Sequence, residues 1–273
     1  VVRLSALVCV QNGDAHLSEC LRSLGFCDEV VVVADRCTGG PQEIARRSGA
    51  RIVDGIFPLE SHRKSAGAEA CSGDWILEVE PGERVDRALA WEIRAALQMR
   101  PAGDWFELPI DNYVGEALVR GGWTGELGPD RGVRLYRRGV KSWPADGEAA
   151  LAGTSAGRLT GALRRSAGAD VAALVEQVGR LATVQGQQLA DDERPGRLPG
   201  ALARGAAGFL RSYLGRQGWR EGRLGFLLAV LTALHPLLAQ MRAQELLEAR
   251  RLARAAEALR PATLRRIAGA RAG

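Results

Sequence analysis

The sequence is short of lysine and histidine. Among its 273 residues stand two lysines, Lys64 and Lys141, against 35 arginines, and three histidines, His16, His62 and His235. The arginine-for-lysine skew reads as coding bias and carries no functional weight. The histidines are scattered, which excludes the ligand spacing of a zinc site. All five cysteines (Cys9, Cys20, Cys27, Cys37, Cys71) fall in the first 71 residues. Their odd number, the lack of a C-x-x-C and the place of Cys9 in an apolar run argue against a disulfide framework. Reduced thiols in a cytosolic protein are the expectation. The N-terminus enters a strand at once, without the basic-then-apolar-then-small pattern of a secretory leader. No internal repeat is found. Aromatics are sparse in the basic C-terminal region (Phe209, Tyr213, Trp219, Phe226), and no nucleic-acid-binding motif accompanies them, so no nucleic-acid partner is expected.

Hydrophobic residues at 46% and charged residues at 25% suit a soluble chain with one large domain, or one domain and an extension. Charge is unevenly placed. Residues 1–150 hold 18 basic and 23 acidic side chains, a net of −5, whereas residues 151–273 hold 19 and 9, a net of +10. That asymmetry fits either a C-terminal part facing an anionic partner or a set of solvated helix faces.

Strands are expected at 4–10, 30–34, 51–53 and 75–79, with helices at 15–24, 41–48, 61–70 and 87–99 between and after them. Asp14 is the candidate N-cap of the first helix. The four valines at 30–33 are too uniformly apolar for a half-exposed strand and mark a central, parallel one. This alternation is the signature of a parallel α/β sheet. From 101 to 143 the pattern changes to strands at 105–110 and 133–137 joined by a Gly-rich loop. Beyond about residue 167 nearly everything reads as helix, broken near 194–196 and 218.

The segment G-D-W-I-L-E-V-E-P-G-E-R-V at 73–85 is the most informative stretch. A buried strand there runs into a Pro-Gly turn carrying Glu80, Glu83 and Arg84, able to hold a cation and a phosphate at a sheet edge. The strand at 30–34 ends similarly, on Asp35. If both are parallel in one sheet, Asp35 and Glu80 face the crevice where open α/β sheets bind ligands.

At this point the order of segments resembles the inverting family 2 glycosyltransferases, most strongly the branch that adds sugars to lipopolysaccharide core. L-S-A-L-V-C-V-Q-N at 4–12 with Leu17, Cys20 and Leu21 resembles the family's opening strand and helix. V-V-V-A-D-R-C-T at 31–38 resembles its V-V-x-D-x-[SC]-T-D segment, and 73–85 its G-D-W-I-L-x-x-D-x-D-E-R-V segment. Gly121-Gly-Trp123, Pro129-Asp130 and R-L-Y-R-R at 134–138 are similar to its acceptor half, and 218–226 to the start of its C-terminal hydrophobic helix. The resemblance implies a GT-A-like α/β domain at 1–165, with a nucleotide-sugar half at 1–100 and an acceptor half at 101–165. A helical, basic, membrane-associating extension would follow at 166–273. Two departures stand out: the family's D-x-D falls on Glu80-Pro81-Gly82, and Gly39 replaces the Asp after Cys-Thr.

The resemblance also implies roles. Asn12 and Asp35 would meet the nucleotide, with Asp35 accepting from a uracil N–H or ribose hydroxyl, although an aspartate there can also cap its own turn. Glu80 would bind Mg²⁺ or Mn²⁺, with Glu83 or Glu78 as the second carboxylate. Strand alternation sets Glu78 and Glu80 on one face and leaves Glu83 beyond the turn. Arg63, Lys64 and Arg84 are the available cations for a leaving diphosphate. Inversion needs a general base, for which Asp111, Glu126, Asp130 and Glu148 compete. Glu148 is the choice, standing where related enzymes carry a His-Glu pair. Trp123 reads equally as a sugar platform and as core.

One run, 224–241, is uncharged for 18 residues between Arg223 and Arg242, the lower edge of a spanning length. Thr232, His235, Pro236 and Gln240 make a span costly, and Arg211, Arg216, Arg220 and Arg223 precede it, so an interfacial helix is favoured over a core helix. The resulting expectation is a transferase on the cytoplasmic face of the inner membrane. It would move a sugar from a nucleotide donor, UDP-linked by expectation, to a lipid-linked saccharide on an anionic membrane surface. The rival is a non-catalytic protein of the same fold that binds a nucleotide or a partner enzyme. A sugar nucleotidyltransferase would want a Gly-rich, basic loop after the first strand, and none is present.

Overall fold

A computed structural model of the chain describes residues 2–11, 16–144, 149–168, 170–192 and 196–270. The chain divides into two compact units, one of residues 1–118 and 129–169, the other of residues 119–128 and 170–273. The second unit thus combines the 119–128 segment with the chain from Asp170 onward.

In the first unit the elements run β1 (Leu4–Gln11), α1 (Leu17–Ser23), β2 (Glu29–Asp35), α2 (Gly40–Arg47), β3 (Arg51–Gly55), α3 (Glu60–Ala70), β4 (Trp75–Val79), β5 (Glu83–Arg84) and α4 (Arg87–Gln98). Then follow β6 (Trp105–Val114), β7 (Ala117–Leu118), β8 (Arg131–Arg137), β9 (Lys141–Ser142), β10 (Ala150–Leu151), β11 (Ser155–Arg158) and β12 (Leu163–Gly168). The main sheet has the order β3-β2-β1-β4-β8-β6-β12-β5, with β7 and β11 also on β6. Strands β3, β2, β1 and β4 are mutually parallel, while β8 enters antiparallel between β4 and β6. The sheet is thus mixed and mostly parallel in its first half.

Period-two alternation in β1 sends Leu4, Ala6, Val8 and Val10 to one face and Leu7 to the other. The first face is covered by α1, α2 and α4 through Leu17, Leu21, Ala45, Leu89 and Ile93. The opposite face packs on α3 with Val31, Val33, Ile76 and Tyr136. Covering both faces explains why the valine strand lacks polar alternation. Helix α4 shows the local code clearly. The Asp86 carboxylate accepts the Leu89 N–H at 2.8 Å as an N-cap, and Leu89, Ile93 and Leu97 recur at the spacing of one buried stripe.

Some expectations need correction. The first helix opens at His16 with no side-chain cap, and Asp14 lies outside the described residues. The strand expected at 105–110 continues to Val114, alternating buried and half-buried throughout. Glu83 and Arg84, expected in a turn, form β5, because β12 offers them an antiparallel partner.

The second unit holds α5 (Val171–Asp191), α6 (Leu198–Leu210) and α7 (Gly222–Ala270). Its 119–128 segment is tied in by polar contacts. The Glu221 carboxylate accepts the N–H groups of Arg120 at 3.0 Å and Gly121 at 2.8 Å, and the Thr124 and Thr232 hydroxyls meet at 3.0 Å. Gly122 has a φ of +77° and its missing Cβ would stand 3.0 Å from Gly218 Cα, so only glycine fits there.

A close approach in the first unit yields a test. A Cβ on Gly67 of α3 would lie 2.7 Å from Val33 Cγ2 and closer still to Leu7 Cδ1. Gly67→Ala should therefore lower the unfolding free energy by about 1–3 kcal/mol through overpacking. Urea unfolding checks this, and an unchanged midpoint would contradict such tight packing of α3 on the sheet.

Candidate active site

The candidate residues gather where parallel strands end. β2 ends on Asp35, β4 ends on Val79 with Glu80 next in the chain, and β1 runs between them. Neighbouring strands lie about 4.8 Å apart, so the two ends stand roughly 10 Å from each other. Consecutive residues of α3 span that gap. Arg63 Nη1 is 3.4 Å from Asp35 Oδ2, and Lys64 Nζ is 3.3 Å from Glu78 Oε1. Asp35, Arg63, Lys64 and Glu80 thus belong to one crevice.

Asp35 is buried. Its oxygens accept the Phe57 N–H at 3.0 Å, the Gln11 amide at 3.0 Å and Arg63. Burial works to raise its pKa, but the Phe57 and Gln11 donors and the charges of Arg36 and Arg63 outweigh it and hold the carboxyl below its usual range. A carboxylate has about four lone-pair positions, and three are already met. The first task of Asp35 is to fix the ends of β1 and β3 and to aim Arg63.

Around Glu80 the structure builds a larger network. Arg134, on β8, is 6% exposed and reaches Glu80 and Glu83 at 3.0 Å each and Glu78 at 3.8 Å. Lys141 lies 2.5 Å from Glu78, and Arg165, on β12, lies 3.3 Å from Glu80. Glu83 was expected beyond the turn. Instead its N–H donates to the Glu80 carbonyl at 2.8 Å, closing the turn, while its Oε2 accepts the Glu80 N–H at 2.8 Å. The turn folds back because the buried Arg134 needs both carboxylates. Burial pulls the Glu80 carboxyl upward, but Arg134 and Arg165 outweigh it and hold the group well below the usual range. For Glu83 burial prevails over Arg134, helped by the neighbouring Glu80 charge, and the carboxyl is raised to about 7.

The other expected residues separate. Alternation along β5 turns Arg84 away from Glu83. It pairs with Glu19 and lines a different cavity, of about 510 Å³, with His16, Tyr113, Glu116 and Arg164. Trp123 is buried in the second unit and donates its indole N–H to the Gly128 carbonyl at 3.0 Å, so it is a packing residue and not an exposed platform. Asn12 and Glu148 lie outside the described residues. Of the other candidate bases, Glu126 pairs with Arg211 in the second unit and Asp130 lies 3.7 Å from Arg131. Sequence reasoning missed Arg134, Lys141 and Arg165. The R-L-Y-R-R segment was the only signal for Arg134, and none existed for Arg165, whose place depends on the pairing of β12 with β5.

Five carboxylates (Asp35, Glu60, Glu78, Glu80, Glu83) face six cations (Arg36, Arg63, Lys64, Arg134, Lys141, Arg165), leaving one positive charge in excess. Arg63 Nε and Arg165 Nη1 are buried with no hydrogen-bond partner among the described residues. An unmet buried donor costs about 1–3 kcal/mol, more when charged, so the arrangement favours a bound anion.

No protein-family model matches the chain. It is 24% identical over 249 residues to the lipopolysaccharide core biosynthesis glycosyltransferase LpsC of Rhizobium meliloti, covering 86% of this chain and 89% of the relative. It is 29% identical over 94 residues to an uncharacterized glycosyltransferase of Rickettsia conorii, a third of each chain. Among solved structures, it superposes on the mannosyltransferase PcManGT of Pyrobaculum calidifontis, in complex with GDP-Man and Mn²⁺, with a TM-score of 0.55. Identity there is 13%, with 89% of this chain and 87% of that one covered. The chain has the GT-A fold, and its sequence is similar to those of glycosyltransferases.

The Mn²⁺ of that mannosyltransferase raises the question of a metal here. Among the described residues, no group of three or more His, Cys, Asp or Glu side chains is placed to hold one. Glu80 and Glu83, the expected ligands, are both engaged by Arg134, and Gly82 supplies no side chain. The described residues do not fit a divalent cation.

The Glu83 environment predicts a pH effect. A folded-state pKa raised above the unfolded value of 4.5 gives stability that is complete below that value. It is lost as pH rises through about 7. Glu83→Gln cannot ionise, so its stability relative to the parent should improve from about pH 5 to about pH 8, whatever its offset at the lower pH. Urea midpoints at both pH values report this. A pH-independent difference would mean that Glu83 is ionised throughout.

Proposed function

We propose that the chain moves a sugar from a nucleotide donor, UDP-linked by expectation, to a lipid-linked saccharide of the lipopolysaccharide-core kind, with inversion at the anomeric carbon. The observation that carries this reading is the net-positive cluster at the ends of β2 and β4, with Arg63 and Lys64 aimed from one helix. The likeness to LpsC supports the acceptor class. In the reaction, an acceptor hydroxyl oxygen attacks the anomeric carbon and the bond from that carbon to the diphosphate oxygen breaks. The nucleoside diphosphate leaves with the electron pair, and the hydroxyl proton passes to a carboxylate. A single displacement of this kind inverts the centre. The basic residues meet the charge that develops on the leaving group.

Glu148 is the proposed base. Glu148→Gln should lower kcat by about 10²–10⁴-fold while leaving donor affinity unchanged. A scan of nucleotide sugars for transfer to rough-type lipopolysaccharide supplies the assay. Unaltered turnover in the variant would move the base elsewhere. Transfer from no donor, together with retained nucleotide binding, would favour the non-catalytic reading that Gly82 and the engagement of Glu80 and Glu83 by Arg134 also suggest.

The membrane assignment, on the cytoplasmic face of the inner membrane, draws on the second unit. One helical stretch there, Gly218–Arg254, is long and apolar enough to cross a bilayer, but 44% of its most apolar window is buried inside the protein. Leu210, Leu214, Trp219, Phe226 and Met241 are each more than half exposed, and Arg211, Arg216, Arg220 and Arg223 stand among them. This pattern supports a helix pair lying in the interface. Each arginine near an anionic surface contributes about 1 kcal/mol, roughly 4 in all, screened over about 8 Å at physiological salt. Flotation with anionic liposomes should show binding that high salt loosens without abolishing. Protein that stays in the soluble fraction at low salt would remove the membrane assignment.

A further inference from the structure

Resting on the donor-binding reading above, the geometry points to a diphosphate site that works without a divalent cation, neutralised by the fixed side chains Arg63, Lys64 and Arg165. Arg134 stands 3.0 Å from Glu80 and 3.0 Å from Glu83, the place that a cation bridging those carboxylates would need. Glu83 has no exposed surface, and the two oxygens of Glu80 face Arg134 and Arg165. A metal bridging the two carboxylates would have to displace a buried guanidinium, which would keep only Glu78, 3.8 Å away, as its carboxylate partner.

Charge leads the same way. With six cations facing five carboxylates, a divalent ion would add charge of the sign already in excess, whereas a diphosphate removes it. Hydrogen bonding agrees, since Arg63 Nε and Arg165 Nη1 lack partners among the described residues and a guanidinium presents paired donors that match phosphate oxygens. Lys64, next to Arg63 on α3, adds a compact charge, 2.9 Å from Glu60 and 3.3 Å from Glu78. When the sugar–oxygen bond breaks, the diphosphate takes the electron pair. The same groups stabilise that charge with no change of position.

The test is calorimetric titration of UDP and UDP-sugars into the full chain, once in EDTA and once with excess Mn²⁺, alongside electron paramagnetic resonance of free Mn²⁺ mixed with the protein. Expected are affinities that agree within about two-fold in the two buffers and no stoichiometric loss of the free Mn²⁺ signal. Arg165→Gln and Lys64→Gln, each compared at equal melting temperature, should weaken binding by about ten-fold or more. Either variant suffices if the other fails to fold. Binding that requires Mn²⁺, or a tight Mn²⁺ site on the protein alone, overturns the inference and leaves the donor reading standing. No binding of any nucleotide in either buffer removes both.

Discussion

One buried guanidinium organises the site. Arg134 is drawn from a strand that enters the sheet antiparallel, and it answers three carboxylates at once: Glu78, Glu80 and Glu83. A lone buried charge of either sign would cost several kcal/mol. The turn after β4 therefore has little choice of shape: Glu83 must fold back beneath Glu80, and β5 must form beside β12. Arg165 then arrives opposite Glu83 in register and completes the network from the far side. Removing Arg134 would leave the Pro-Gly turn held by its two Glu80–Glu83 hydrogen bonds and the pairing of β5 with β12.

Much of the parallel half of the fold was legible. The valine run of β2, the apolar β1 and the helices between them obey periodicities of 2 and 3.6, and neither face of the sheet is wet. Asp35 and Glu80 could be placed at one crevice because parallel strands end on the same side. The antiparallel half was not legible, since periodicity reports which face a residue takes and not which strand is its neighbour. Arg134, Lys141 and Arg165 lie roughly 50–85 residues beyond Glu80 in the chain and join it only through the insertion of β8 and the pairing of β12. Trp123 misled for a related reason. Its Gly-Gly neighbours looked like a loop made for a ligand, yet they permit close backbone approach to Gly218 inside a helical unit.

The degenerate acidic motif acquires a physical sense in this setting. Glu80-Pro81-Gly82 keeps one carboxylate and loses the second, and the freed position is balanced by arginine. The result is a centre with fixed cations and a surplus positive charge. A guanidinium network of this kind is preorganised by its own ion pairs, so little rearrangement is needed as charge builds on a leaving group. Asp35 ties the ends of β1 and β3 together and holds Arg63 in place.

The central claim, that Arg134 is bound energetically to the carboxylate beneath it, is tested most directly by a double-mutant cycle on urea stability at neutral pH. Arg134→Met alone should cost about 3–5 kcal/mol, because it strands buried acid groups. Adding Glu83→Leu to it should recover a large part of that loss, a coupling above about 1 kcal/mol. Additive effects, or an Arg134→Met variant as stable as the parent, would contradict the account.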